Sequence, residues 1–181
     1  TDLRPLRNLK QLDILSLSGN ALSTVPADRG ADVIKSLDGH LTRLFLSDTG
    51  ITNIAPYASI QSLQWLDVSH NLVTDISALE FHPNLMHIFV NNNAISDVRV
   101  MDTLPKISNF DAANQVLRFT GVPAGSSFAP GIWTQDIDDV TFDYAWPHYW
   151  AVDGSYNRHN GTIIWNEPGV YRFTWEHQGR Y

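Results

Sequence analysis

The sequence predicts a solenoid of short parallel strands followed by a small all-β region, and three observations carry that prediction. Leucine-like residues recur in the spacing L-x-x-L-x-L-x-x-N-x-L-x-x-L, and the steps Leu44 to Leu66, Leu66 to Ile88 and Ile88 to Phe110 are each 22 residues. One slot of every copy holds a small polar residue: Asn20, Thr49, Asn71 and Asn93. After Gln115 the phase is lost and the chain becomes rich in Gly, Pro, Trp and Tyr. A repeat of this length is one supersecondary unit that buries its apolar face only by stacking on its neighbours. A helical leucine pattern, with about 3.6 residues per turn, would not keep a polar residue in one slot.

The first copy runs Leu12, Leu15, Leu17, Asn20, Leu22, Val25, and the second Leu41, Leu44, Leu46, Thr49, Ile51, Ile54. The third is Leu63, Leu66, Val68, Asn71, Val73, Ile76, and the fourth Leu85, Ile88, Val90, Asn93, Ile95, Val98. A fifth, decaying copy is Ile107, Phe110, Ala112, Gln115, Leu117. Each copy is expected to lay down one strand, roughly residues 41–46 or 63–68, with the strands paired in parallel and leucines filling the space behind. The polar slot sits inside a turn. An Asn there can donate to and accept from backbone groups that would otherwise be buried unpaired, and Thr49 can do part of that work. The return path is short, so 3₁₀ turns are expected rather than full helices.

Three departures interrupt the pattern. Val25 to Leu41 spans 16 residues where Ile54 to Leu63 spans 9, which places an insertion at residues 26–40. Residues 31–37 (ADVIKSL) could form a short helix, and the insertion needs no function of its own. His82 takes a slot held by Leu9, Ile60 and Leu104 in other copies, where a half-buried filler is expected rather than a ligand. The chain also opens in mid-repeat, residues 1–6 being cognate to 52–57. An uncapped solenoid end exposes its core, so the sequence predicts earlier repeats and an N-terminal cap in a longer protein.

Residues 1–115 are therefore expected to form the solenoid and 116–181 a β domain. Strand patterns at 139–144, 161–165 and 169–175, broken by turn signals at 157–161 and 167–169, suggest a small sandwich. So few residues make a thin sandwich, which must lack a closing strand or lean on the solenoid.

Composition excludes several classes. The 181 residues include 6 Trp, 6 Tyr and 8 Phe with only 17% charged residues, which argues against disorder. Acids exceed bases 19 to 12, and a net charge of -7 counts against nucleic acid or an anionic membrane as the main partner. No apolar run approaches the ~18 residues of a membrane-spanning helix. The absence of cysteine rules out disulfides, thiolate metal sites and cysteine nucleophiles. Asp136, Asp138 and Asp139 have no full calcium loop around them, and none of the 7 histidines sits in an HExxH frame. No metal, no cofactor and no catalytic residues are expected.

The repeats resemble those of bacterial internalins, with Ile-Thr-Asn-Ile-Ala-Pro at 51–56 and Val-Thr-Asp-Ile-Ser-Ala-Leu at 73–79. The region after Gln115 resembles that family's immunoglobulin-like junction domain, through residues 153–156 (DGSY), 162–166 (TIIWN) and 171–175 (YRFTW). The resemblance implies a leucine-rich-repeat solenoid followed by an immunoglobulin-like domain. It further implies a monomeric, secreted or surface-displayed protein of a Gram-positive-type bacterium that binds a protein ligand, such as one on a host cell surface.

The recognition face can be read from the strand alternation, since the x positions of L-x-L point away from the leucines. The first outward column is Ile14, Arg43, Trp65, His87, Asn109. The second is Ser16, Phe45, Asp67, Phe89, Asp111, and the third Ser18, Ser47, Ser69, Asn91, Ala113. Phe45, Trp65, His87 and Phe89 fall together beside Arg43, Asp67 and Asn91. Contiguous exposed aromatics mark interaction sites, and Trp and Arg are enriched in binding hot spots. The expected function is non-enzymatic protein binding or adhesion on this concave face. The alternatives are carbohydrate or cell-wall binding through Trp133, Trp146 and Trp150, or a passive spacer.

Overall fold

The computed structural model of the chain describes residues 2–118 and the strand segments 126–128, 140–144, 154–157, 162–165 and 170–175. Strands β1 (Ile14–Ser16), β2 (Arg43–Phe45), β3 (Trp65–Asp67) and β4 (His87–Phe89) pair in parallel in chain order, followed by β5 (Asn109–Arg118). Leu15 pairs with Leu44, Leu44 with Leu66, Leu66 with Ile88 and Ile88 with Phe110, so the repeats stack phase on phase. The first four strands are three residues long, shorter than the spacing predicts, because the chain turns away directly after the second leucine of L-x-L. Leu41, Leu44, Leu46, Leu63, Leu66, Val68, Leu85, Ile88 and Val90 form the buried layer behind the sheet.

The return side is made of short 3₁₀ turns, Leu22–Thr24, Ser77–Leu79 and Arg99–Thr103, and one single-turn helix, α2 (Ala55–Ala58). Most of these returns share a cap. A carboxylate or amide oxygen accepts the amide two residues on: Asp2 from Arg4 (3.0 Å), Asn53 from Ala55 (2.9 Å), Asp75 from Ser77 (2.8 Å) and Asp97 from Arg99 (3.0 Å). This is the local Asx turn that starts a helical turn without backbone help. The Arg4 guanidinium beside Asp2 holds its carboxyl down to about 2, and Arg99 lowers Asp97 in the same way.

The insertion at 26–40 is part of the core rather than a tolerated loop. It forms a 3₁₀ turn, Ala27–Arg29, and a short helix, α1 (Ala31–Lys35), that packs on the Arg4–Asn8 turn and on α2. Val33, Ile34 and Leu37 are buried. The Leu3 amide donates to the Arg29 carbonyl (2.8 Å) and the Lys10 ammonium to the Ser36 carbonyl (2.7 Å).

Past the repeats the pairing changes direction. On its far edge β5 pairs antiparallel with β10 (Val170–Trp175), and β10 with β7 (Val140–Tyr144). A separate antiparallel sheet has the order β6 (Ser126–Phe128), β9 (Thr162–Trp165), β8 (Gly154–Asn157). Trp133, Trp146, Trp150 and residues 136–139 lie outside the described residues. Among the described residues no helix is long and apolar enough to cross a membrane.

The polar slot is a buried ladder. The Asn71 carbonyl oxygen accepts the Thr49 and Ile51 amides (3.0 and 3.1 Å), while its NH2 donates to the carbonyls of Leu46, Val68 and Ser69 (2.8, 2.9 and 2.9 Å). Asn93 repeats this one copy on, accepting from the Val73 amide (3.0 Å) and donating to Val68 and Val90 (3.0 and 2.8 Å). Thr49 covers part of the role: its hydroxyl donates to the Leu46 carbonyl (2.8 Å). Asn20 is exposed and donates only to Leu17 (2.9 Å) and Ser18 (3.4 Å). Gln115, fully buried, extends the ladder into the fifth copy by accepting from the Ile95 amide (2.9 Å) and donating to Val90 (2.9 Å) and Ala112 (3.0 Å). The residue before each ladder position has a left-handed backbone: Gly19, Asp48, His70, Asn92 and Asn114, with φ between 54° and 73°. Gly, Asn, Asp and His are the types that enter this region at least cost.

His82 is buried, not half-buried. Its Nε2 lies 3.0 Å from the Ile60 carbonyl oxygen, and its Nδ1 faces the amides of Asn84 (3.4 Å) and Leu85 (3.3 Å). Donors on one side and an acceptor on the other require the neutral ring with the proton on Nε2. Burial pushes its pKa below the ordinary histidine value.

Two predictions follow from these buried groups. Asn93→Ala leaves the Val73 amide and several carbonyls unpaired and should cost about 3 kcal/mol, whereas Asn20→Ala, where water substitutes, should cost under about 1 kcal/mol. Urea unfolding of the two variants measures the difference, and equal midpoints would contradict the ladder. For His82, a folded-state pKa below the unfolded one means that the unfolded chain binds more protons as pH falls. Its contribution to stability is then complete above about pH 6.5 and is lost progressively below it. His82→Leu should flatten the fall in unfolding free energy between about pH 6.5 and 5 relative to the parent.

Candidate functional site

The strand registers align the outward columns across the sheet. Arg43, Trp65, His87 and Asn109 are cross-strand neighbours, as are Phe45, Asp67, Phe89 and Asp111. Of the residues that the sequence picks out, Phe45, Trp65, Asp67, His87, Phe89 and Asn91 are half-buried and Arg43 is exposed.

Four rings form one slab with Trp65 at its centre. Phe89 stacks on Trp65 at 5.1 Å and 26°, His87 tilts against it at 4.5 Å, and Phe45 approaches at 6.1 Å. Offset contacts at such distances contribute about 0.5–1.5 kcal/mol per pair beyond area burial. They also hold the rings in place without covering them. Trp65 Nε1 and His87 Nδ1 are buried inside the slab without a hydrogen-bond partner. A hidden polar atom of this kind costs about 1–3 kcal/mol, so the slab is not arranged for stability alone.

Asp67 sits between Phe45 and Phe89 and is fixed from the third column. Its Oδ1 accepts the Ser69 amide (2.9 Å) and the Ser69 hydroxyl (2.6 Å), and the Ser47 hydroxyl lies 3.0 Å from that of Ser69. Asp111 is held similarly by the Ala113 amide (3.0 Å). Asn91 stands one column up, where its carbonyl accepts the His70 amide (2.9 Å). Among the described residues neither Arg43 nor Asp67 forms an ion pair. The supporting role of Ser47 and Ser69 is missed by a reading that asks only for aromatic and charged types. Their signal is the run of small hydroxyl residues at 18, 47 and 69 in one column.

Among the described residues no group of three or more His, Asp or Glu side chains could hold a metal ion. The hydroxyls of Ser47 and Ser69 are engaged with each other and with Asp67, and no histidine is bonded to them.

No protein-family model and no curated protein matches the chain. Among solved structures it is similar to an internalin, inlF, of Listeria monocytogenes, at 25% identity and a TM-score of 0.56, over 66% of this chain and 33% of that one. It is also similar to a leucine-rich-repeat protein of Leptospira interrogans, at 21% identity and a TM-score of 0.53, over 62% of this chain and 28% of that one. A second internalin of Listeria monocytogenes is 30% identical over 60% of this chain and 55% of its own, with a TM-score of 0.45. The chain spans about a third of the length of the first two structures.

The slab makes its own prediction. Phe89→Ala removes the ring stacked on Trp65 and exposes the indole. Tryptophan emission should shift to longer wavelength, while stability falls by about 1–2.5 kcal/mol, the ring contact plus the apolar area that the half-buried ring loses. A loss of several kcal/mol would place Phe89 in the core instead.

Proposed function

We propose that this internalin-like leucine-rich-repeat chain is a non-enzymatic protein-binding module of a bacterial surface or secreted protein. Its contact site is the concave slab of Phe45, Trp65, His87 and Phe89, with Arg43, Asp67 and Asn91 supplying charge and polar selectivity. The observation that carries this reading is the four-ring slab standing on the outward face of a fixed parallel sheet. A large aromatic surface held by its own neighbours has little ordering entropy left to lose when a partner covers it. The likeness to leucine-rich-repeat proteins of internalin type supports the same class of function and the same compartment.

In this reading the partner is a protein displayed on a host cell, and the chain acts as a monomer. Residues 1–115 serve as the recognition solenoid and 116–181 as an immunoglobulin-like unit that carries it. The antiparallel pairings of β10 with β7, and of β9 with β6 and β8, are what such a unit would need.

Fluorescently labelled chain titrated onto a panel of animal cells, with the crosslinked receptor then titrated by calorimetry, tests the reading. Trp65→Ala should weaken binding by about 2 kcal/mol or more, with circular dichroism unchanged. Trp65→Ala and Phe89→Ala variants that fold normally and bind as tightly as the parent would overturn the concave site.

A further inference from the structure

The outward face of the parallel sheet carries a carboxylate that forms no ion pair among the described residues, at the point where the rings converge. Along the second column, aromatic and acidic residues alternate: Phe45, Asp67, Phe89, Asp111. Adjacent strands lie about 4.8 Å apart, so Phe45 and Phe89 flank the Asp67 carboxylate on either side. Trp65 touches both of those rings from the neighbouring column. Ser69 holds Oδ1 through two hydrogen bonds, and Oδ2 has no partner among the described residues.

We propose that this face takes a cationic side chain of its partner, an arginine or lysine, on the Asp67 carboxylate between the rings of Phe45, Trp65 and Phe89. The inference rests on the concave-face reading above and adds the chemistry of the ligand. A partner that covers the aromatic slab also removes water from Asp67, and a carboxylate dehydrated without a counter-charge is strongly unfavourable. Among the described residues no cation pairs with Asp67. A cation of the partner fills that role.

The surroundings suit a guanidinium best. Its plane can lie against one ring of the slab while its fork meets the carboxylate. Asp111, on the far side of Phe89, adds charge of the same sign. Arg43, in the first column beside Trp65, repels a cation from that end and directs it toward the Asp67 and Phe89 side. The net charge of -7 draws a basic segment to the chain before contact is made.

The test uses the full chain, labelled with nitrogen-15, and three blocked five-residue peptides as probes. They are identical except for a central arginine, its uncharged isostere citrulline, or glutamate. The arginine peptide should shift the Trp65 indole and Ser69 amide signals, and the citrulline peptide should need about tenfold more to do so. In Asp67→Asn, which keeps the oxygen that Ser69 binds, that preference should fall below about twofold. Trp65→Ala should weaken both peptides together. Equal affinity for arginine and citrulline in the parent, or a preference that survives Asp67→Asn, would overturn the cation seat while leaving the aromatic platform standing. Peptides that shift no concave signal at all would overturn both the seat and the concave-face reading.

Discussion

The structure depends on a side-chain amide placed in the same position of the later repeats, at Asn71, Asn93 and Gln115. A solenoid turns its chain sharply after each strand, and the turn leaves amides and carbonyls facing the core. Asn71, Asn93 and Gln115 each answer both needs at once: the side-chain oxygen receives an amide of the preceding repeat, and the NH2 bridges carbonyls of two repeats. Because each group reaches back about one repeat, the ladder sets how the repeats are phased. Between the first two copies, where neither Asn20 nor Thr49 bonds through its side chain to the other copy, backbone pairing carries the same register. Leu15 pairs with Leu44 in the same register that the uninterrupted repeats use, although the additional residues of 26–40 lie between them. The extra chain is absorbed on the return side, where Val33, Ile34 and Leu37 give it its own buried contacts.

The candidate site follows from that phasing. If the register slipped by one residue, the leucines would face outward and the rings inward. With it fixed, Trp65 meets rings from the strands on both sides of its own. The short strands limit the face to two or three outward positions per repeat, so each position matters. One is occupied by a carboxylate that its Ser69 neighbour immobilises. A rigid charge inside an aromatic surface favours selectivity over raw affinity, because any partner must match it or bear the cost of dehydrating it.

Much of this was legible because a repeat states each rule several times. The parallel strands, the ladder at Asn71 and Asn93, and the cross-strand columns through Trp65 and Phe89 all follow from phase and alternation. Features that occur once, or that depend on packing, were not. The leucine pattern suggested a half-buried filler at His82, yet the ring is buried and bonded on both sides. The insertion looked dispensable because apolar residues at 33, 34 and 37 have no repeat partner to reveal their direction. Gln115 was visible in the ladder slot, but its longer side chain hid its full membership until the Ile95 amide was seen bonded to it. The Asx caps at Asn53, Asp75 and Asp97 and the left-handed column at Asp48, His70 and Asn92 are periodic too. Their roles rest on local backbone geometry, which the leucine phase does not state.

The most direct measurement of the ladder's role is residue-resolved amide hydrogen exchange. The amides of Ile51, Val73 and Ile95 lie in turns outside any strand, yet each donates to a ladder side chain. Protection factors for these amides should match those of the central strand residues Leu66 and Ile88, since both sets open only when the stack opens. Exchange at the rate of the exposed return turns would contradict the account, because the side-chain ladder would then not be what holds the repeats in phase.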